Sequence, residues 1–283
     1  MKDTLCAYYT NSKDITAYMC AKLEISDGDV LLEPSAGEGI FIDEILAEKK
    51  NVHIDALDIN GEVIAKLKEK YKDNTSVVVR ETDTLLDEYL DAFDSSGYYS
   101  KVIGNPPYGA WQDYEKRDIL KRKFIGQYVK ESYSLFLLRC ISVLKMHGKL
   151  SFIIPDTYLF LNMHANLRRL LFTNTKIDEI LIFPSKFFPG VSFGYSNLSI
   201  ITLERCINEE ALNNTVKVIQ GFKSSSEFSN LITSKHLDSK HLQVFNFKQK
   251  DILANEQCRF ILAKPNVSKL LMKRIKRIGN VCD

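Results

Sequence analysis

Asn105-Pro106-Pro107-Tyr108 is the segment of this sequence best suited to chemistry, because it follows a short apolar strand candidate, Lys101-Val102-Ile103-Gly104. The carboxyl edge of an open α/β sheet is where ligands bind. Consecutive prolines stiffen the backbone and carry no N–H, so the neighbouring carbonyls stand as fixed acceptors. An exocyclic amine on an aromatic ring is a poor nucleophile, since its lone pair is delocalised into the ring. If the Asn105 side-chain oxygen and the Pro106 carbonyl each accept one of its N–H bonds, the nitrogen becomes more tetrahedral and its lone pair turns toward an electrophile. Tyr108 offers a face for an extruded base, an interaction of about 1–3 kcal/mol per base that offsets part of the cost of extrusion. A strand-ending turn with a core tyrosine is the alternative for the tetrapeptide alone.

A second segment, Leu31-Leu32-Glu33-Pro34-Ser35-Ala36-Gly37-Glu38-Gly39, reads as a strand opening through a small-residue loop onto a helix at Ile40. Gly37 and Gly39 allow close backbone approach to a ligand, and Glu33 can face a cationic one. An ammonium- and sulfonium-bearing molecule such as S-adenosylmethionine suits this acidic loop better than a pyrophosphate does; an ordinary strand-to-helix turn is the alternative. Asp58 closes the next strand, placed to accept from ribose hydroxyls. Asp83, after Val77-Val78-Val79, is placed to accept from an adenine amine of the cofactor; either acid alone could instead be a helix N-cap.

These positions need a sheet to hold them. From Val30 to about Glu204, strand candidates Val30-Leu32, Ile54-Leu57, Val77-Val79, Val102-Gly104, Leu150-Ile154, Ile177-Phe183 and Leu198-Leu203 alternate with amphipathic stretches Ile40-Ala47, Glu62-Tyr71, Ser134-Leu144 and Met163-Phe172. Asp14-Leu23 reads as a further helix before them. The pattern is doubly wound α/β with a mostly parallel sheet. Four chemistry-bearing motifs fall at successive strand ends in one order, which is what lifts them above isolated matches.

The chain has 283 residues, 45% hydrophobic and 26% charged, enough for a full core. A formal net charge of +2 demands no polyanionic partner. Six dispersed cysteines without a CxxC pair read as reduced thiols of a cytoplasmic protein, and no metal site or membrane span is expected. Past Cys206 the sequence turns Ser/Asn/Lys-rich, which sets a boundary there. The expected division is a catalytic domain over 1–205 and an irregular extension over 206–283 with only short strand-like pieces such as Val216-Ile219. Asn266 to Ile278 reads as a basic amphipathic helix. Gly109 to Lys130, with Lys121-Arg122-Lys123 and the sole tryptophan Trp111, reads as a loop that could meet a phosphate backbone or simply face solvent.

Together these residues resemble the gamma-class N6-adenine DNA methyltransferases of restriction-modification and phage-defence systems. The resemblance implies a class I S-adenosylmethionine-dependent methyltransferase fold, with Tyr8-Tyr9-Thr10 and the helix after it as the N-terminal cofactor motif. It assigns Glu33, Ser35, Ala36 and Gly37 to the cofactor loop, Asp58 to ribose, Asp83 to the cofactor adenine, and Asn105-Pro106-Pro107-Tyr108 to catalysis, with Asn105 also touching cofactor. It continues through Tyr133-Ser134-Leu135-Phe136, Ile153-Ile154-Pro155 and Phe187-Phe188-Pro189-Gly190-Val191, where Phe188 is the aromatic expected on the flipped base, with Phe187 and Phe193 next. Double-stranded DNA is the implied partner. Family members continue into a target-recognition domain, so the resemblance implies a fragment of a longer protein or a subunit whose specificity is supplied in trans.

Cytosine-C5 methylation needs a Pro-Cys nucleophile that the sequence lacks, and cytosine-N4 enzymes resemble a version with Ser in place of Asn105. Glutamine methyltransferases acting on release factors share Asn-Pro-Pro-Tyr, RNA remains a possible substrate, and a non-catalytic cofactor-binding subunit is the reading from another class.

Overall fold

The computed structural model describes residues 12–94, 96–108, 114–188, 197–234, 242–255 and 257–262. Tyr8, Tyr9, Thr10, Trp111, Phe193 and the Asn266–Ile278 segment lie outside the described residues.

The first helix, α1 (Lys13–Leu23), starts where Ser12 Oγ accepts from Ile15 N, and buries Ile15, Tyr18, Met19 and Leu23. It leads into β1 (Val30–Glu33), α2 (Ile40–Glu48), β2 (His53–Asp58), α3 (Gly61–Lys70), β3 (Val77–Glu81), the single turn α4 (Glu88–Asp91) and β4 (Tyr99–Gly104). Then come α5 (Tyr114–Lys123), α6 (Ser132–Val143), β5 (Leu144–Pro155), α7 (Ala165–Asn174), β6 (Thr175–Pro184) and β7 (Asn197–Arg205). The remainder is α8 (Asn208–Asn213), β8 (Thr215–Gln220), α9 (Ser225–Ser234), β9 (Gln243–Lys248) and α10 (Gln249–Leu253).

The nine strands of the described residues join one sheet in the order β3-β2-β1-β4-β5-β7-β6-β8-β9. Strands β1 to β5 pair in parallel, as do β6 and β8, while β7 runs antiparallel between β5 and β6 and β9 antiparallel to β8. Near-continuous apolar runs such as Leu150-Ile154 and Ile180-Phe183 are buried, as a sheet covered on both faces requires. Helix α1 packs beside α2 and α9, α6 lies on β5, and α7 lies on β6 with α8 and α10 against it. The chain order reverses between β1 and β4, so their carboxyl ends open the crevice in which doubly wound sheets bind ligands.

Two expectations differ from the structure. The stretch read as a loop from 109 to 130 contains a helix, α5, whose Lys123 pairs with Asp91 at 2.5 Å and whose Lys121 pairs with Asp118 at 2.9 Å. Few apolar residues mark it, and its long-range pairing with Asp91 has no local signature. The extension read as irregular from 206 is regular in its described part, and β8 and β9 carry the sheet past that boundary. Its serine run is a cap rather than a loop: Glu227 N donates to Ser224 Oγ at 3.2 Å and Lys223 N to Glu227 Oε2 at 2.8 Å. Phe228, Leu231 and Ile232 on α9 are then buried, with Phe228 stacked on Phe183.

Two buried polar side chains brace the segments around the sheet. The Gln249 amide accepts from Ile177 N at 2.9 Å and Asn214 Nδ2 at 2.7 Å, and donates to Phe172 O and Thr175 O. Arg168, fully buried, donates to Tyr158 O, Leu161 O and Gln257 O, clamping the turn after β5. Replacing Arg168 by Leu strips these carbonyls of their donor; a loss of about 3 kcal/mol or more is expected, read as a lowered urea midpoint with unchanged slope.

Candidate active site

The loop after β1 is the centre of the crevice. Its Gly37 and Gly39 have φ of 51° and 75°, in the left-handed region that favours glycine. At Gly39 a Cβ would also lie 2.7 Å from Tyr71 Oη, so no side chain fits there without displacing that hydroxyl. Tyr71 Oη in turn donates to Gly39 O at 3.0 Å and approaches Asp43 Oδ1 at 2.7 Å.

Every neighbouring strand end is bonded to this loop. Ala36 N donates to Leu57 O at 2.8 Å, and Gly37 N to Asp58 Oδ2 at 2.9 Å. Thr84 Oγ1 donates to Pro34 O at 2.5 Å. Ser35 Oγ donates to Asn105 O at 3.2 Å, a direct bridge from the glycine loop to the tetrapeptide. On its other side the tetrapeptide is held by Ser132, the first residue of α6, whose Oγ donates to Pro107 O. The structure therefore brings Glu33, Ser35, Ala36, Gly37, Asp58, Asp83, Asn105, Pro106 and Tyr108 to one edge of the sheet.

Three acids define its electrostatics. Glu33 is 2% exposed, and its Oε2 has no hydrogen-bond partner among the described residues. Burial, then the Asp58 and Asp43 carboxylates, push its carboxyl well above the usual range. Asp58 accepts from Gly37 N and from Asn60 N at 2.9 Å, which fixes it at the tip of β2. Asp83 accepts from Leu85 N at 3.1 Å on Oδ1, and its Oδ2 lies 2.6 Å from Lys116 Nζ.

Several participants carry no signal in the sequence. Thr84 and Ser132 act through single tertiary hydrogen bonds, and Lys116 reaches Asp83 from a helix read as loop. Ile59, following Asp58, is 48% exposed, an apolar surface beside that carboxylate against which a planar ring can lie; its exposure is its only mark. Asp156, just past β5, is buried and accepts from Asn197 Nδ2 at 3.1 Å, and burial raises its carboxyl above the usual range. The Tyr133 hydroxyl meets Thr157 Oγ1 at 2.7 Å and His164 Nε2 at 3.1 Å, tying α6 to the turn after β5.

Tyr108 and Phe188 are each 1% exposed, so neither ring is open to solvent in this state. Phe187, partly buried, approaches Phe228 with ring centroids 6.4 Å apart. Among the described residues no group of His, Cys, Asp and Glu is placed to hold a metal, and no helix is long and apolar enough to cross a membrane.

A sheet of this order, with an acid-flanked glycine loop at the β1/β4 crossover, is the class I S-adenosylmethionine-dependent methyltransferase architecture. A protein from Listeria monocytogenes described as such a methyltransferase matches with a TM-score of 0.56 at 18% identity, over 73% of this chain and 62% of that one. The chain belongs to the Eco57I restriction-modification methylase family, whose model matches residues 13–188. The type II methyltransferase M.HincII of Haemophilus influenzae is 27% identical over 185 residues, covering 63% of this chain and 34% of that protein. A protein from Vibrio vulnificus YJ016 described as a modification subunit of a type I restriction enzyme superposes with a TM-score of 0.71 at 15% identity, over 95% of this chain and 62% of that one. The chain spans about a third of the length of the first curated relatives it matches.

The buried Glu33 carboxyl generates a prediction with a defined sign. A carboxyl raised above its ordinary value near 4.5 costs the folded state stability once pH exceeds that value, and the cost grows up to the folded pKa. Glu33→Gln is expected to melt at a higher temperature than the wild type at pH 7, with the gap closing as pH falls toward about 4.5.

Proposed function

We propose that this chain binds S-adenosylmethionine and transfers its methyl group to the N6 amine of an adenine extruded from DNA, as part of a restriction-modification or phage-defence system. The observation that carries this reading is the Ser35–Asn105 bridge, which sets an acid-lined glycine loop beside an Asn-Pro-Pro-Tyr segment at the sheet's crossover. Membership in a restriction-modification methylase family favours DNA over a protein glutamine as substrate.

The donor set fits the cofactor: an orphaned buried carboxylate oxygen on Glu33, carboxylates at Asp58 and Asp83, and a loop whose glycines leave room for close approach. When bound, the cofactor supplies an already activated methyl group, so no metal is called for. Glu33 faces its cationic end, Asp58 accepts from ribose hydroxyls, Asp83 accepts from its adenine amine, and Ile59 lies against the ring. Tyr9 and Thr10 belong to the same site by resemblance alone.

At the target base, Asn105 Oδ1 and the Pro106 carbonyl accept the two N6–H bonds and turn the nitrogen lone pair toward the methyl group. Anchoring Asn105 O to Ser35 and Pro107 O to Ser132 fixes the tetrapeptide on either side of Pro106, so these acceptors need no reorganisation as the base arrives. Tyr108 and Phe188 are the walls proposed for the base, and their burial means that the covering side chains part as it enters. Double-stranded DNA is the partner, with a target-recognition domain or subunit outside the described residues supplying sequence choice.

The test is transfer of labelled methyl from S-adenosylmethionine to mixed-sequence DNA. Label in N6-methyladenine, reduced by about 100-fold or more in Asn105→Ala, is expected. Cofactor binding with label appearing only in protein glutamine or RNA would replace the DNA assignment, and binding with no transfer even beside a recognition subunit would leave a non-catalytic role.

A further inference from the structure

Lys116 lies in α5, beyond the catalytic tetrapeptide in sequence, yet its Nζ is 2.6 Å from Asp83 Oδ2, with side chains 26% and 21% exposed. In the same helix Leu120 is fully buried, and Lys123 makes a further ion pair, with Asp91.

The two oxygens of Asp83 differ in what they already bond: Oδ1 accepts from the Leu85 amide and Oδ2 faces Lys116. With Oδ1 bonded to a backbone amide, Oδ2 is the better placed to accept from an incoming amine. The backbone cannot swing Asp83 aside, because its neighbour Thr84 is tied through Oγ1 to Pro34 O. The Lys116 ammonium, 2.6 Å from Oδ2, already takes up acceptor capacity of that oxygen, so an exocyclic N–H arriving there competes with it. If both were present, two positively polarised donors would converge on one oxygen, beside a cofactor that is itself cationic.

Resting on the assignment of Asp83 as acceptor for the cofactor's adenine amine, we infer that Lys116 is a stand-in for that amine, occupying Asp83 Oδ2 until the cofactor displaces it. Lys116 thereby sets the affinity of the adenine end of the site without belonging to the glycine loop or the tetrapeptide. Cofactor binding also removes an ion pair that holds α5 to the loop after β3.

Titration calorimetry of S-adenosylmethionine against the full chain tests this with two variants. Lys116→Met keeps the approximate length and packing of the stem and removes the ammonium; it is expected to bind about two- to five-fold tighter at low salt, the range of a partly exposed ion pair. The gap from wild type is expected to shrink between ~0.05 and ~0.5 M salt, because screening loosens the pair only where it exists. Asp83→Ala removes the acceptor and is expected to bind more weakly than wild type. Unchanged or weaker binding by Lys116→Met overturns the inference while a weakened Asp83→Ala keeps the assignment of Asp83. Wild-type binding by Asp83→Ala overturns both.

Discussion

The hydrogen bond from Ser35 Oγ to Asn105 O is the contact on which the rest of the site depends, because it joins the two lips of the crevice where the strand order reverses. A doubly wound sheet guarantees that β1 and β4 are neighbours, and their pairing at Leu31 with Lys101 and Leu32 with Val102 brings Pro34 level with Gly104. A Cβ on Gly104 would meet the Pro34 ring at 3.3 Å, so the two loops leave their strands in close contact. From that junction the bonds spread outward: Thr84 to Pro34 O, Gly37 to Asp58, Ser132 to Pro107 O. The loop after β1 is thus a shared anchor for four strand ends, and displacing it would disturb all of them together.

Such an anchor is built from groups that are costly to bury. Glu33 sits without a partner on one oxygen and beside two other acids, an arrangement that a sequence optimised for stability alone would avoid. Asp58 and Asp83 differ, since backbone amides already share their charge. The uncompensated carboxyl is therefore a position at which folding stability alone would favour a neutral side chain.

Much of this was legible in the sequence where local pattern decides structure. Strands such as Ile54-Leu57 and Leu198-Leu203 are apolar runs bounded by polar turns, and Asp58, after the first of them, stands at the strand end where ligands gather. Legibility fails where a single long-range contact decides. The α9 serines look like linker sequence until Glu227 and the buried Phe228 make them a helix start. Helix α5 is charged almost throughout, and its hold on Asp83 and Asp91 spans β4 and the Asn105–Tyr108 segment. The same holds in the site: the acids and the tetrapeptide stand out by type, whereas Ser132 and Thr84 are ordinary hydroxyls until their partners are seen.

The Gln249 side chain bears on how this protein could be cut into parts. One amide satisfies Ile177 N and the carbonyls of Phe172 and Thr175, and also holds Asn214, so α7, β6 and the turn before β8 share a single fastener from α10. An excised module ending near residue 206, where the composition changes, would keep every residue assigned to chemistry. It would nonetheless expose the backbone of β6 to water and leave the far half of the sheet without its clasp, so the smallest portable unit of this architecture extends through α10.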